Sequence, residues 1–319
     1  MSITRNGFQQ FVNNELPIGV PGDFASVNPR AAIVAGPNQF VAPAAGVNVG
    51  SFAWFDPTTG IASNYYKATG FLGFVHRENN GLITQFLGIA TLTVVPGNMV
   101  TGMSYGDYLA IFAGGATVGQ AVYADPVTGA ATAGAPSNAG TTALAGSVAA
   151  GGVLTVTGVT GTLAVGQLVL LGTLPEGTYI VSLGTGTGGD GTYNLANVNG
   201  TAIAAVGATT GGSTLGPQET IYTVGSPVDA GFSVATSTIA PGATGLYGTL
   251  TLGAAPTGTV SVGDFISGTG IPANVQILQL LTGSGGSGST YLVSWSGTVA
   301  STTITGEQGQ VGVITSLPQ

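Results

Sequence analysis

Between residues 49 and 132 the chain alternates short apolar pieces with glycine: VGSFAWF, GFLGFVH, GLITQFLGIATLTVV, YLAIFAGG and QAVYADPVTG. Runs of this length, bounded by turn residues and rich in β-branched and aromatic side chains, predict strands and turns instead of helices. Sixteen of the 24 aromatic residues lie at or before Tyr123, so the largest core side chains belong to this part. Ahead of it, Pro17, Pro21, Pro29, Pro37 and Pro43 stand among small and polar residues. Proline fixes its own φ and keeps the preceding residue out of the helical region, so residues 1–50 read as an extended arm.

Beyond about residue 140 the chain turns to Gly, Thr, Ser, Ala and Val, and it repeats itself. GTLAVGQLVLLGTLPEGTYIVSLGTGTGGDGTYNL, from residue 161, matches GTVSVGDFISGTGIPANVQILQLLTGSGGSGSTYLV, from residue 258. Val165-Gly166-Gln167 corresponds to Val262-Gly263-Asp264, Pro175 to Pro272, and Thr192-Tyr193 to Thr290-Tyr291. The expected fold is all-β: an N-terminal arm and a compact β-barrel or sandwich domain, followed by two repeated small β-sandwich-like modules. In residue numbers this is an arm (1–50), an N-terminal β-domain (51–140), a first repeat (141–214), a connecting segment (215–240), a second repeat (241–305) and a closing strand (306–319). The closing strand, GEQGQVGVITSLPQ, is expected to return to the N-terminal domain.

The repeat bears directly on the most suggestive motif. Gly184, Gly186 and Gly189 form a G-x-G-x-x-G, the fingerprint of a dinucleotide-binding turn. Such a cradle needs a helix after it and an acidic partner about 20 residues on, whereas TYNLANVNGTAIAAV reads as strand and turn. A phosphate-binding P-loop needs a lysine, and none follows Lys67. The second copy keeps glycines but not their spacing, so the shared feature is a flexible hairpin loop. Asp190 in GGDG, the candidate for a calcium turn, has Ser287 as its counterpart and is expected to serve the turn alone. GMSYG, residues 102–106, fits the nucleophile elbow with Ser104 as nucleophile. The single histidine, His76, precedes it, and DYLAIFAGG is too short for the elbow's helix, so a plain turn is expected. His76-Arg77-Glu78 is the densest charged cluster and reads as a surface or interface ion pair. With one histidine and no cysteine, no catalytic set, metal site or cofactor site assembles, and an enzyme is not expected.

Charge narrows the partners further. Only 5% of residues are charged, against about a quarter in ordinary domains. All four cations, Arg5, Arg30, Lys67 and Arg77, fall in the first 77 positions beside three carboxylates, and everything after carries nine carboxylates and no Lys or Arg. Phosphate neutralisation and anionic-lipid binding both need clustered cations, which argues against nucleic-acid and membrane partners. MSITRNGFQQFVNNELP lacks the apolar core of a secretory signal, and no apolar run approaches the ~18 residues of a membrane span, so a soluble, cytoplasmically made protein is expected.

Four N-terminal stretches carry a resemblance: GDFASVNPRAAIVAGPNQFVAP (22–43), VGSFAWFDP (49–57), GFLGFVHRENNGLIT (70–84) and VGQAVYADPVTGAAT (118–132). In this order they resemble the capsid cement, or head decoration, proteins of tailed bacteriophages. The repeat region resembles Gly/Thr-rich β modules of phage virion proteins. The resemblance implies a protein on the outer surface of the virion head, bridging neighbouring copies of the major capsid protein, with no catalytic residue. Arg5, Arg30, Lys67 and Arg77 are then the expected contacts to shell carboxylates, with ordinary surface ion pairs as the alternative. Self-association is expected as a homotrimer, or as a dimer. A receptor- or glycan-binding appendage is the competing reading, with Tyr193, Tyr291 and Trp295 stacking on sugar rings; packing inside the modules is the other fate open to these aromatics.

Overall fold

The structure, a computed structural model, describes residues 19–36, 39–78, 92–112, 114–136, 139–228, 231–242, 247–272, 275–307 and 311–317. Every regular element among them is a strand. The N-terminal part supplies β1 (Ala31–Ala32), β2 (Val47–Asn48), β3 (Phe52–Asp56), β4 (Ile61–Ser63), β5 (Phe71–Val75), β6 (Thr93–Val94), β7 (Gly102–Tyr105), β8 (Asp107–Ile111), β9 (Ala121–Ala124) and β10 (Ala131–Ala133). One sheet runs β1-β7-β5-β3-β4, and β2 pairs with β6 apart from it. All five residues of β3 are buried, because the strand has protein on both faces. Phe52 and Trp54 join one core with Phe74 and Met103, while Ala53 and Phe55 join another with Phe40, Val47, Val94 and Val100. This is the period-2 alternation of a strand in a middle layer.

The hairpins β3–β4 and β9–β10 are closed by five-residue stretches that differ only at the third position, Asp56-Pro57-Thr58-Thr59-Gly60 and Asp125-Pro126-Val127-Thr128-Gly129. In each, the aspartate side chain accepts from the backbone two residues on, at 2.9 Å in both cases. Each turn ends on a glycine at positive φ, 70° at Gly60 and 71° at Gly129, which a side chain would strain.

The chain then makes β11 (Gly140–Ala149), β12 (Val153–Gly161), β13 (Leu168–Leu170), β14 (Thr178–Leu183), β15 (Gly191–Asn197) and β16 (Val206–Leu215), which close into a barrel in the order β11-β12-β15-β14-β13-β16. After β17 (Gln218–Val224) come β18 (Phe232–Pro241), β19 (Gly248–Thr251), the short β20 (Thr257–Gly258), β21 (Phe265–Gly268), β22 (Val275–Thr282), β23 (Thr290–Val293) and β24 (Val299–Glu307). Their sheet runs β19-β23-β22-β21-β24-β18, and β18 pairs back onto β19 to close it, with β20 alongside β18. The two rings have the same topology. The ten-residue β11 and β18 each pair with both flanking strands, β11 through register shifts on both sides and β18 through shifts against β24, so each of the expected small β modules closes into a barrel.

Equivalent side chains fill the two barrels: Leu154 and Leu250, Val169 and Ile266, Ile180 and Ile277, Tyr193 and Tyr291 are all buried. The VGQ and VGD turns explain their own similarity. Gln167 and Asp264 are fully buried, and each accepts from the backbone N–H three residues earlier, Ala164 at 3.1 Å and Ser261 at 2.8 Å. A buried acceptor that fixes the turn before a strand satisfies a donor that would otherwise be lost to water.

Between and after the barrels the chain returns to the N-terminal part. β25 (Val311–Thr315) pairs along its whole length with β8, and β17 lies between β9 and β25, giving a second sheet in the order β10-β9-β17-β25-β8. Residues 218–224, placed by sequence in a connecting segment, are thus a strand of this sheet. Each barrel leaves and rejoins through adjacent antiparallel strands, Gly140 opposite Leu215 and Phe232 opposite Gly306, the arrangement of an inserted domain. Tyr222, Val224 and Ile314 reach the core shared with Phe52 and Phe74, so residues far apart in sequence complete one sandwich.

Candidate functional site

The segment 19–36 forms a strap across the edges of both N-terminal sheets. Gly22 N–H donates to Leu109 O (2.7 Å), Ala25 N–H to Asp107 O (3.0 Å) and Ile33 N–H to Gly102 O (2.8 Å). Phe24 anchors it, stacked on His76 with ring centroids 4.1 Å apart and 5.7 Å from Tyr108. His76 Nδ1 lies 2.7 Å from Gly22 O, which holds the ring in place. Burial pushes the Tyr108 phenol up to about 12, opposed by the Arg30 charge and assisted by Asp107. Burial raises Tyr222 as well, with the neighbouring Tyr108 and Asp107 adding to it.

Asp107 is the electrostatic centre of the strap. It is buried, and its Oδ2 accepts from Ser26 Oγ and Asn28 Nδ2, both at 2.6 Å, while its Oδ1 accepts from Thr315 Oγ1 at 2.6 Å. Burial alone would raise its pKa. The three donors from Ser26, Thr315 and Asn28 outweigh burial and hold the carboxyl below the usual aspartate value. One carboxylate therefore fastens the strap and the last strand to the start of β8. Nothing local in the sequence marked this residue, because its partners lie 79 to 208 positions away.

The outer side of the strap is uncovered. Ile33 and Ala35 pack inward, whereas Val34 is 90% and Val27 101% exposed, beside exposed Pro29, Arg30, Ala31 and Ala32. Arg30 lies over the Phe24 ring, its guanidinium carbon 3.8 Å from the centroid, and has no ion pair among the described residues. Two other candidate contact residues are engaged within the chain. Lys67 pairs with Glu176 of the first barrel, and Arg77 pairs with Asp23 of the strap at 3.1 Å. Arg5 lies outside the described residues. The charged triplet thus resolves into separate contacts: His76 on Phe24, Arg77 on Asp23, and Glu78 accepting from Thr101.

The two motifs that suggested a nucleophile and a nucleotide cradle serve the framework. Ser104 stands in β7, not in a turn, and its Oγ donates to Ala31 O at 3.3 Å. The turn follows at Gly106, with φ of 132°. Gly184, Gly186 and Gly189 form the hairpin between β14 and β15, closed over a buried tyrosine. Tyr193 OH accepts from Gly188 N–H (3.0 Å) and donates to Gly189 O (2.6 Å), and a Cβ on Gly186 would fall 2.3 Å from its ring. Gly186 is the glycine that packs against that ring, and the N–H groups of Gly184, Gly186 and Gly188 bond within the hairpin.

The aromatics singled out for sugar stacking are placed differently from one another. Tyr193 and Tyr291 point into the barrels, with 0% and 2% exposure, so neither offers a ring face to a ligand. Period-2 alternation with Leu195 and Val293 was the signal for this. Trp295 is half-buried against the second barrel's core, folded back over Gly297, where a Cβ would lie 1.8 Å from the indole. Asp190 is exposed at its loop, and no group of three or more His, Cys, Asp or Glu that could hold a metal ion occurs among the described residues. No helix among the described residues is long and apolar enough to cross a membrane.

Residues 8–157 match the family described as XM1 gp53 minor capsid protein. The matched stretch contains the strap, the first sheet and β8 to β11, and it ends midway along β12, so most of the first barrel and all of the second lie beyond it. The match supports a phage capsid-related protein with a structural place in the virion. No curated protein and no solved structure matches the chain.

Proposed function

We propose that the protein binds the outer surface of a tailed-phage head through its strap and cements neighbouring major capsid protein subunits. The observation that carries this reading is the uncovered strap: Val27 and Val34 stand in solvent beside Arg30, on the part of the chain matched to a minor capsid family. Large apolar side chains held out by a rigid backbone suit burial against a partner, and an arginine at their centre suits a carboxylate. The strap lies along β8, at the opposite edge of the second sheet from β10, after which the first barrel begins. This supports docking by the strap with the acidic barrels facing outward. Tyr193 and Tyr291 give the competing glycan-appendage reading no support, because both are buried. Assembly as a homotrimer on the lattice belongs to the same proposal, with a dimer as the alternative.

The test is binding of purified protein to undecorated heads. Val34→Asp places a charge in the proposed interface, and a desolvated unpaired charge costs several kcal/mol, so affinity is expected to fall by about 100-fold or more. Arg30→Glu is expected to weaken binding, while Lys67→Ala leaves it unchanged because Lys67 is paired inside the chain. Equal binding by Val34→Asp, Arg30→Glu and the unmodified protein would overturn the assignment of this surface.

A further inference from the structure

A second surface differs from the strap in chemistry and lies where the first barrel meets the N-terminal domain. Here a cleft of about 310 Å³ opens between residues 43–48, 63–65 and 127–128 on one side and Tyr179, Val198 and Asn199 on the other. No lining residue carries a charge. Clefts between domains are common ligand sites, and this volume falls at the small end of their range.

Its polar groups are fixed in place with part of their bonding capacity left over. Asn199 Nδ2 donates to Tyr65 OH at 3.1 Å, which leaves the Asn199 carbonyl as an acceptor and the phenol as a donor. Asn48 Oδ1 accepts from Thr93 Oγ1 at 2.9 Å, which leaves its amide hydrogens to donate. The Tyr65 ring sits against Gly177, where a Cβ would come within 3.2 Å of it. Across the cleft stands the half-buried Tyr179. Lys67 Nζ lies 5.1 Å over the Tyr65 ring and is paired with Glu176. Two aromatic rings with amide donors and acceptors between them, in an otherwise uncharged lining, match a molecule with apolar ring faces and a rim of hydroxyls. Phosphorylated and strongly anionic ligands would find no cation in the lining, and the ammonium beside Tyr65, that of Lys67, is already paired with Glu176.

We propose that this cleft binds a short neutral oligosaccharide, with Tyr65 and Tyr179 against sugar faces and Asn48 and Asn199 on hydroxyls. The site is separate from the strap, and it stands whether or not the strap docks on a capsid. It relocates glycan recognition from the barrel interiors, where Tyr193 and Tyr291 are closed off, to the junction of barrel and domain.

The experiment probes a glycan array of neutral and anionic oligosaccharides with the full-length protein and titrates each bound glycan by calorimetry. The expected result is binding of neutral glycans, weakened by about tenfold or more in Asn199→Ala and in Tyr179→Ala, the loss of one good contact. Asn199 is exposed, so its variant keeps the fold and the melting temperature. Binding unchanged in both variants would overturn the assignment of the cleft. So would selective binding of anionic glycans, or no neutral glycan bound at about 1 mM, the weak end of specific affinity.

Discussion

Replacing Asp107 by asparagine isolates the bond network on which the strap depends. Asparagine keeps the shape, but it accepts through one oxygen only and turns an amide group toward donors that the carboxylate had satisfied. Hydrogen bonds to a charged group contribute about 1.5–3 kcal/mol each. Ser26 and Asn28 are bonded at the partly exposed side of the strap, so the lower end applies, about 2 kcal/mol for opening the strap. Since 1.4 kcal/mol is a factor of ten, the opened population should rise about 30-fold. Hydrogen exchange at the Gly22 and Ala25 amides, which donate to Leu109 and Asp107, reads this population directly. The effect also has a pH signature. Asp107 in the folded protein lies below its ordinary value, so the folded state takes up its proton less readily than the unfolded chain. The stabilisation is therefore complete above the unfolded value of about 3.9 and disappears as pH falls through the lower folded value. The gap between the protein and Asp107→Asn should narrow in acid. Asp56 is also held low, with burial outweighed by bonds from Thr58, Thr59 and Thr69, so some acid sensitivity persists in the variant. Exchange rates at Gly22 and Ala25 that match in the two proteins at neutral pH would refute the reasoning.

Gly186→Ala should lower the stability of the first barrel by about 1–3 kcal/mol, because its Cβ meets the Tyr193 ring, whereas Gly189→Ala, with open space around it, should stay within about 0.5 kcal/mol; thermal melting of both variants checks this. Deleting residues 311–317 removes the strand between β8 and β17 and should strip exchange protection from Ala110 and from Gly225, whose N–H donates to Val313 O, while leaving Ile277 in the second barrel protected, as exchange on the truncated chain would report.

What the sequence disclosed follows from which interactions are local. The hairpin reading of Gly184, Gly186 and Gly189 was open to inspection because the duplicated copy kept the glycines and lost their spacing. Val165-Gly166-Gln167 and Val262-Gly263-Asp264 stood out because a turn three residues long carries its own acceptor. Ring closure was not legible, since it rests on β11 meeting β16 and β18 meeting β24 across the whole module. Nor was the pairing of Lys67 with Glu176, which are 109 positions apart and meet only once the barrel is set against the N-terminal domain. For the candidate contacts this mattered most, because charge alone ranked Arg30, Lys67 and Arg77 equally and the fold separates them. The strap's apolar side chains passed unnoticed because Val27 and Val34 sit singly among small residues, and their exposure is set by the sheet edge beneath them.

Whether the protein coats the head is decided by labelling purified phage particles with a gold-conjugated antibody against the second barrel and mapping the gold by electron microscopy. Dense labelling spread over the whole head is expected, with the barrels outward. Gold confined to the tail or to a single vertex would contradict it.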